Sequence, residues 1–161
     1  NYYLDSNLIL LCQNPMQSFN EFKSNFNFVK AAGGVVENNN SELLMIYKNK
    51  TWDLPKGKVE YKESSEVAAI REVEEETNLN KLSILSDSFS TYHIYRELSN
   101  STIVYLKETK WFLMHTGSKS DLIMPQINEG ITKVKWMSFK QAEDLKTYTS
   151  IKFLLRYFRI Y

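Results

Sequence analysis

The 161-residue chain is poor in the residues that build disulfide-linked and metal-finger proteins: it has one cysteine, two histidines, three prolines and five glycines. Because Cys12 has no second cysteine to pair with, an internal disulfide is excluded, and we expect a reducing compartment, the cytoplasm. No motif surrounds Cys12, so we do not assign it a nucleophilic role.

The chain also lacks an excess charge of either sign and any long apolar run. Its net charge is +1, which argues against a dedicated nucleic-acid-binding surface. The apolar run at residues 8–12 is too short for the core of a signal peptide or for a membrane span. We therefore expect neither nucleic acid nor a membrane as a partner.

The residues that are abundant favour one well-packed domain, since 43% of the chain is hydrophobic and 14% is aromatic. We predict an N-terminal arm with a short helix at residues 1–27 and the domain itself at residues 28–161. Asn14 and Pro15 suit a helix start, and apolar residues follow at spacings of three and four. The arm either packs on the domain or contacts a second subunit. The aromatic C-terminal end, 157–161, is compatible with the same two alternatives.

Apolar runs separated by turn residues predict strands at 28–37 and 42–47, which form a hairpin, and at 81–95, 103–115 and 131–137. Turns are predicted at 98–101 and a polar loop at 117–129. Helices are predicted at 64–77, at 139–145 after a Ser138 cap, and at the C-terminal end, capped by Thr149 or Ser150. This order predicts an α/β sandwich in which a mixed sheet lies between helices.

The helix at 64–77 has an unusual distribution of charge. On a helical wheel Glu72, Glu75 and Glu76 fall within one third of the circumference, and Ile70 and Val73 lie opposite them. No lysine stands four residues away to relieve the repulsion. The helix is either a solvated acidic surface or a ligand set for a hard divalent cation, and at this point both alternatives stay open.

The residues before this helix favour the metal site. Residues 52–60, Trp-Asp-Leu-Pro-Lys-Gly-Lys-Val-Glu, form a strand-like run that is interrupted by proline and glycine. Gly57 lets the backbone approach a ligand closely, and its carbonyl can then serve as a further oxygen ligand. Glu63 and Arg71 follow at fixed distances before the acidic cluster.

Together these residues resemble the Nudix box, G-x5-E-x7-R-E-U-x-E-E-x-G-U, in which U is a bulky aliphatic residue. The chain supplies in register Gly57, Glu63, Arg71, Glu72, Val73, Glu75, Glu76 and Leu79. Asn78 stands where the motif has its last glycine. Asparagine is the usual second choice at a helix end that takes the left-handed conformation, so we expect the helix to end normally. With the residues around Trp52, Pro125 and Trp136, the resemblance spans most of 28–145.

The resemblance implies the Nudix fold, an α-β-α sandwich with a mixed sheet, and metal-dependent hydrolysis of a nucleoside diphosphate linked to another moiety. It implies a Mg²⁺ or Mn²⁺ shell, and zinc is disfavoured because no His or Cys lies in the cluster. The metal ligands are then Gly57, Glu72, Glu75 and Glu76. One of these glutamates, or Glu129 from a distant loop, takes the proton of the attacking water; a solvated loop acid is the other interpretation of Glu129. Glu63 and Arg71 form a supporting ion pair.

The expected partner is a small nucleotide or polyphosphate. Lys56, Lys58 and Tyr95 are candidate substrate contacts, and the Leu-Pro-Lys-Gly-Lys run resembles diadenosine polyphosphate and diphosphoinositol polyphosphate hydrolases. The absence of proline at 94 and 95 disfavours cleavage of ADP-ribose. Base stacking has three aromatic candidates, Trp52, Tyr61 and Trp111. The alternative function is a Nudix-type sensor that binds a nucleotide without cleaving it; we expect such a sensor to have lost a box glutamate, and none is lost.

Overall fold

The computed structural model describes residues 11–86, 88–96, 102–117 and 123–159, and this part of the chain forms one mixed sheet with helices on both faces. The helices are α1 (Pro15–Lys23), α2 (Ser65–Thr77), α3 (Phe139–Asp144) and α4 (Thr149–Arg159). The strands are β1 (Asn27–Glu37), β2 (Glu42–Lys48), β3 (Thr51–Asp53), β4 (Lys56–Lys58), β5 (Leu82–Ile84), β6 (Phe89–Arg96), β7 (Val104–Thr116) and β8 (Ile131–Ser138).

The centre of the sheet is the pair β1 and β7, which run parallel over all eleven residues of β1. All other pairs are antiparallel: β2 and β4 with β1, β3 and β8 with β2, and β5 and β6 with β7. The predicted mixed sheet and the hairpin of β1 with β2 are therefore confirmed.

Two hydrophobic clusters give the sheet its helical layers. One joins the inner face of α2, through Ala68, Ala69 and Val73, to β1 and β7. The other joins Ala142 of α3 and the stripe of α4 to the opposite face of the sheet. The α4 stripe, Ile151, Leu154, Leu155 and Phe158, is buried as its spacing predicted. The α-β-α sandwich is confirmed.

The N-terminal helix begins where the sequence predicted. The Asn14 side chain accepts a hydrogen bond from the amide of Gln17 at 3.1 Å, and Pro15 occupies the first turn. The Phe19 ring meets the ring of Tyr92 on β6 edge-on, with ring centroids 5.0 Å apart, so helix α1 packs on the sheet. The division of the chain at residue 27 stays a prediction.

Two predicted boundaries were wrong. Residues 81–95 form two strands, β5 and β6, because Ser86 and Ser88 interrupt the apolar pattern between them. Helix α4 begins at Thr149 itself, so neither Thr149 nor Ser150 lies before it as a cap. The predicted turn at 98–101 lies outside the described residues. Within the described ranges, no helix is long and apolar enough to cross a membrane.

The cap of α3 gives a direct test of local stability. The Ser138 hydroxyl accepts a bond from the Gln141 amide, and the Gln141 side chain accepts one from the Ser138 amide. Ser138→Ala removes one half of this reciprocal pair and is expected to lower the free energy of unfolding by about 1 kcal/mol. Urea unfolding checks this value, and Ser150→Ala is the matched control, expected within about 0.5 kcal/mol of wild type.

Candidate active site

Helix α2 carries most of the candidate site, and both of its ends are capped. The Ser64 side chain accepts a bond from the Val67 amide at its start. At its end Asn78 has φ 58°, in the left-handed region, and its amide donates to the Glu74 carbonyl at 2.8 Å. The asparagine thus does what the glycine of the motif would do.

The three residues of β4 lie directly against α2. The Lys56 amide donates to Glu76 Oε2 at 2.9 Å, and the Lys58 carbonyl accepts from Arg71 Nη2 at 3.0 Å. Between them, Gly57 lies so close to the Glu72 carboxylate that an added Cβ would overlap it. The site therefore requires glycine at 57 for its close approach and not for an unusual backbone angle.

The acidic face of α2 is not a solvated surface. Glu76 is fully buried and Glu72 is 7% exposed, whereas the side chain of Glu75 is 47% exposed. The helical wheel correctly grouped the carboxylates. Of the two alternatives left open for this face, the solvated surface does not apply to Glu72 and Glu76, because β4 and the end of β2 cover that side of the helix. The apolar side is as predicted for Val73, which is buried, while Ile70 is half-buried.

Burial changes the protonation of these carboxyl groups. Loss of solvent raises the pKa of Glu76 to about 7, although Lys56 and Lys48 oppose the rise. Burial also raises the pKa of Glu72, and Arg71 opposes it. Glu63 behaves oppositely: hydrogen bonds from Arg71 lower its pKa to about 2. A site that concentrates perturbed carboxyl groups in this way is typical of catalytic and ligand-binding centres.

Sequence reasoning missed Lys48, the last residue of β2. Its ammonium lies 3.3 Å from Glu76 Oε1 and 3.1 Å from Glu129 Oε2, so it bridges the helix and the distant loop. The loop is held near the helix by backbone bonds from Met124 to the Thr77 carbonyl and from Gln126 to the Glu76 carbonyl. Lys48 ends an apolar run, which is the only signal in the sequence that could have pointed to it.

A cavity of about 340 Å³ opens beside this group. Three lysines line it, Lys48, Lys56 and Lys107, together with one carboxylate, Asp53. Asp53 pairs with the Lys56 ammonium and also accepts a bond from the Leu54 amide. The cavity is therefore a cationic pocket beside buried carboxylates, an arrangement suited to a polyanionic ligand.

Sequence comparison gives this geometry a family. The model described as "NUDIX domain" matches residues 27–157, which include every strand and the α2 site. The chain belongs to the Nudix family. Nudix hydrolases act on pyrophosphate bonds of phosphorus-containing anhydrides, and the box predicted at 57–79 is the segment that β4 and α2 form here.

Two relatives of this Nudix chain are named for RNA. The m7GpppN-mRNA hydrolase of Saccharomyces cerevisiae is 26% identical over 143 residues, which are 87% of this chain but only 14% of the yeast protein. An RNA pyrophosphohydrolase of Orientia tsutsugamushi is 32% identical over 97 residues, 56% of this chain and 60% of that protein. The chain thus spans only a small part of the yeast relative.

Solved structures match over more of their length. A C. elegans Ap4A hydrolase in a binary complex aligns with a TM-score of 0.65 and 28% identity, covering 82% of this chain and 96% of the other. The E. coli dihydroneopterin triphosphate pyrophosphohydrolase aligns with a TM-score of 0.66 at 18% identity, over 83% of this chain and 98% of that one. The second likeness is one of fold alone.

Most box residues come together as the Nudix pattern implies. The ion pair expected between Glu63 and Arg71 is present, with Nε to Oε1 at 2.8 Å and Nη2 to Oε2 at 2.9 Å. Arg71 also donates to Glu72 at 2.8 Å and to Glu75 at 3.1 Å. In the described part of the chain, no three acidic, histidine or cysteine side chains already converge as a metal ligand set, because each box glutamate is paired with a cation.

The predicted substrate contacts fall at different distances from the box. Lys56 and Glu129 belong to the site through the contacts described above. The Lys58 side chain is exposed, and only its carbonyl meets Arg71. Tyr95 stacks on Tyr105 with ring centroids 5.3 Å apart and is not among the residues that line the cavity. His93 on β6 does line it.

Arg71 is expected to hold the Nudix box together. Arg71→Gln removes five hydrogen bonds to Glu63, Glu72, Glu75 and the Lys58 carbonyl, so the free energy of unfolding should fall by about 1–3 kcal/mol. Arg156→Gln is the matched control, since Arg156 is exposed and, within the described residues, its one ion pair is with Glu143; its effect should stay below about 0.5 kcal/mol. Equal effects in urea unfolding would contradict the assigned role.

Proposed function

We propose that this chain is a divalent-metal-dependent Nudix hydrolase that cleaves a pyrophosphate linkage in a nucleotide by attack of water at phosphorus. The observation that carries the proposal is the contact of β4 with α2, which places the Gly57 backbone, Glu72 and Glu76 side by side. Glu76 in turn contacts Lys48 and the Lys56 amide, and both lysines line the adjacent cavity. Buried carboxylates thereby lie next to a cationic pocket, as hydrolysis of a polyanion requires.

The donor set fits magnesium or manganese. A backbone carbonyl from Gly57 and the carboxylates of Glu72, Glu75 and Glu76 offer only oxygen, which hard divalent ions prefer and zinc does not. Because Gly57 has no Cβ, its backbone can lie directly against the Glu72 carboxylate. When bound, such an ion neutralises phosphate charge and acidifies the attacking water.

The chain's own residues then have separate tasks. Glu76 and Glu72 are fixed by β4 and Arg71, so that they hold their charge at one point of the site. Glu129 stands on the far side of the Lys48 ammonium and, with the box glutamates, is a candidate for accepting the water proton. Lys56 lines the cavity, and in this proposal its ammonium binds phosphate oxygens. The products are two phosphorylated halves of the substrate.

The substrate class that we place first is a dinucleoside polyphosphate. The structural match to an Ap4A hydrolase at 28% identity over 82% of the chain supports it, as does the cluster of lysines in the cavity. Because two relatives are named for RNA, a 5′-triphosphorylated RNA is included among the substrates to be tested. The net charge of +1 does not favour contact with a long stretch of nucleic acid.

The test measures phosphate release and identifies the products for a panel of substrates. Each substrate is assayed with millimolar Mg²⁺ and again after addition of excess EDTA. The panel holds diadenosine tetraphosphate, ATP, ADP-ribose, a diphosphoinositol phosphate and a short 5′-triphosphorylated RNA. We expect turnover of diadenosine tetraphosphate that EDTA abolishes and added Mg²⁺ restores. Turnover that survives EDTA would contradict the metal dependence, and nucleotide binding without turnover of any member would favour the sensor alternative.

A further inference from the structure

None of the three aromatic residues that the sequence suggested for base stacking is available for that role in the structure. Trp111 is 2% exposed, and its indole N–H donates to Thr91 Oγ1 at 2.8 Å. Trp52 packs against the hydrophobic cluster under α3 and α4. Tyr61 is 91% exposed and is not among the residues that line the cavity. Tyr92 also lines the cavity, but its ring already meets Phe19 edge-on and its hydroxyl donates to Glu108.

Tyr148, immediately before α4, lines the cavity and is 48% exposed. Within the described residues its ring makes no stacked or edge contact with another aromatic ring, and its exposure leaves part of the phenol open to a ligand. Sequence reasoning had no signal for it, because Tyr148 stands alone between two polar threonines and follows no apolar periodicity.

The backbone that presents this ring is fixed on both sides. Before it, the Trp52 amide donates to the Lys146 carbonyl at 3.3 Å, and the Thr147 hydroxyl donates to the Trp52 carbonyl at 2.7 Å. After it, the amides of Ile151 and Lys152 donate to the Tyr148 carbonyl at 3.0 and 3.1 Å. A ring on a fixed backbone with few rotatable bonds loses little entropy when a ligand stacks on it.

The same cavity carries the cations that a phosphate chain needs. Lys48 and Lys56 are already paired with carboxylates, but Lys107 has no ion-pair partner in the described part of the chain. Lys107 lies opposite His93 in the pairing of β6 with β7, and both residues line the cavity. Burial, together with the nearby Lys56 charge, lowers the pKa of Lys107, as expected for a cation that lacks an anion.

We propose that Tyr148 is the platform on which a nucleotide base stacks while the cavity lysines, Lys107 among them, hold its phosphates. The substrate is then a nucleoside polyphosphate and not a base-free polyphosphate such as a diphosphoinositol compound. The inference rests on the proposed function for its site and goes further by assigning the determinant of specificity. Stacking of a base on an aromatic side chain corresponds to roughly a 5- to 100-fold change in affinity.

Two probes separate the base from the phosphates: the ATP analogue with a β,γ-methylene bridge, and inorganic tripolyphosphate. Calorimetric titration with EDTA present measures binding without turnover. We expect Tyr148→Ala to weaken the ATP analogue about 5- to 100-fold and to leave tripolyphosphate within about twofold. Tyr148→Phe keeps the ring and is expected to bind the analogue at least about fivefold more tightly than the alanine variant. Tyr61→Ala, an exposed tyrosine outside the cavity, is the matched control.

The outcomes distinguish this inference from the proposed function. Equal losses for both probes, or no loss for either, would overturn the role of Tyr148, whether or not the protein hydrolyses a substrate. Selective loss of the ATP analogue supports the role even if the Mg²⁺-dependent hydrolysis assay finds no turnover, in which case only the proposed reaction fails. Lys107→Gln serves as the reciprocal variant: it should weaken both probes, and weakening of neither would contradict the phosphate half of the proposal.

Discussion

Glu76→Gln is expected to lower hydrolysis about a thousandfold while the fold is kept. Glu76 is fully buried, accepts the Lys56 amide at 2.9 Å and lies 3.3 Å from the Lys48 ammonium, so its charge is held at one position in the site. Glutamine has the same shape and can still accept the Lys56 bond. The measurement is steady-state turnover of the best substrate with Mg²⁺ at pH 8.

The same variant should be more stable than wild type without metal. Burial raises the pKa of Glu76 from 4.5 to about 7, so its contribution to stability is complete below pH 4.5 and is lost as the pH rises through 7. At pH 8 with EDTA, Glu76→Gln should therefore exceed wild type by up to about 3 kcal/mol, and the difference should shrink towards pH 5. Urea unfolding at both pH values measures it.

Glu74→Gln is the matched control on the same helix. Glu74 is half-buried, occupies a variable position of the box motif, and has no side-chain bond or ion pair in the described structure. The turnover of the Glu74→Gln variant and the pH dependence of its stability should remain near those of the wild type. If Glu76→Gln kept turnover within tenfold of Glu74→Gln, Glu76 would not be a residue of the reaction.

Gly57→Ala is expected to cost about a hundredfold in turnover and about 1–3 kcal/mol in stability. The added methyl group would overlap the carboxylate of Glu72, which is 7% exposed and is held by Arg71 at 2.8 Å. Either Glu72 changes rotamer and leaves Arg71, or β4 separates from α2 and the Lys56 bond to Glu76 is lengthened. Both movements displace the carboxylates from the positions described here.

The chain contains a well-matched control for this substitution. A Cβ added at Gly117, just after β7, would meet no atom of the described residues within 4 Å. Gly117→Ala should leave the free energy of unfolding within about 0.5 kcal/mol of wild type and should leave turnover unchanged. Similar losses in both variants would show that general backbone stiffening, and not the contact with Glu72, explains the effect.

The sequence predicted the layers of the fold and the composition of the box because both depend on short spacings. The Asn14 cap, the α4 stripe and the Glu63–Arg71 pair each involve residues a few positions apart, on a helix or its flank. Asn78 was interpreted correctly for the same reason: its left-handed conformation follows from its place at the helix end.

What the sequence could not provide was the content of the space beside α2. A helical wheel gives the direction of Glu72 and Glu76 but not what covers them. Burial comes from β4 and from Lys48, and the latter lies 28 positions from Glu76 and 81 from Glu129. Tyr148 reaches the cavity because Thr147 pairs with Trp52, a contact across 95 positions. Such long-range contacts leave no local pattern.

The parallel pairing of β1 with β7 has a consequence for how the protein folds during synthesis. Asn27 pairs with Tyr105 and Glu37 with His115. Strand β1 therefore cannot pair with β7 until every element from β2 to β6 has been synthesised. Pairing between such distant segments is slow, because the long loop is closed before the contacts form. The apolar face of α2 packs on these two strands. The nascent box helix therefore has no complete surface to pack on until β7 leaves the ribosome, and the active site forms late.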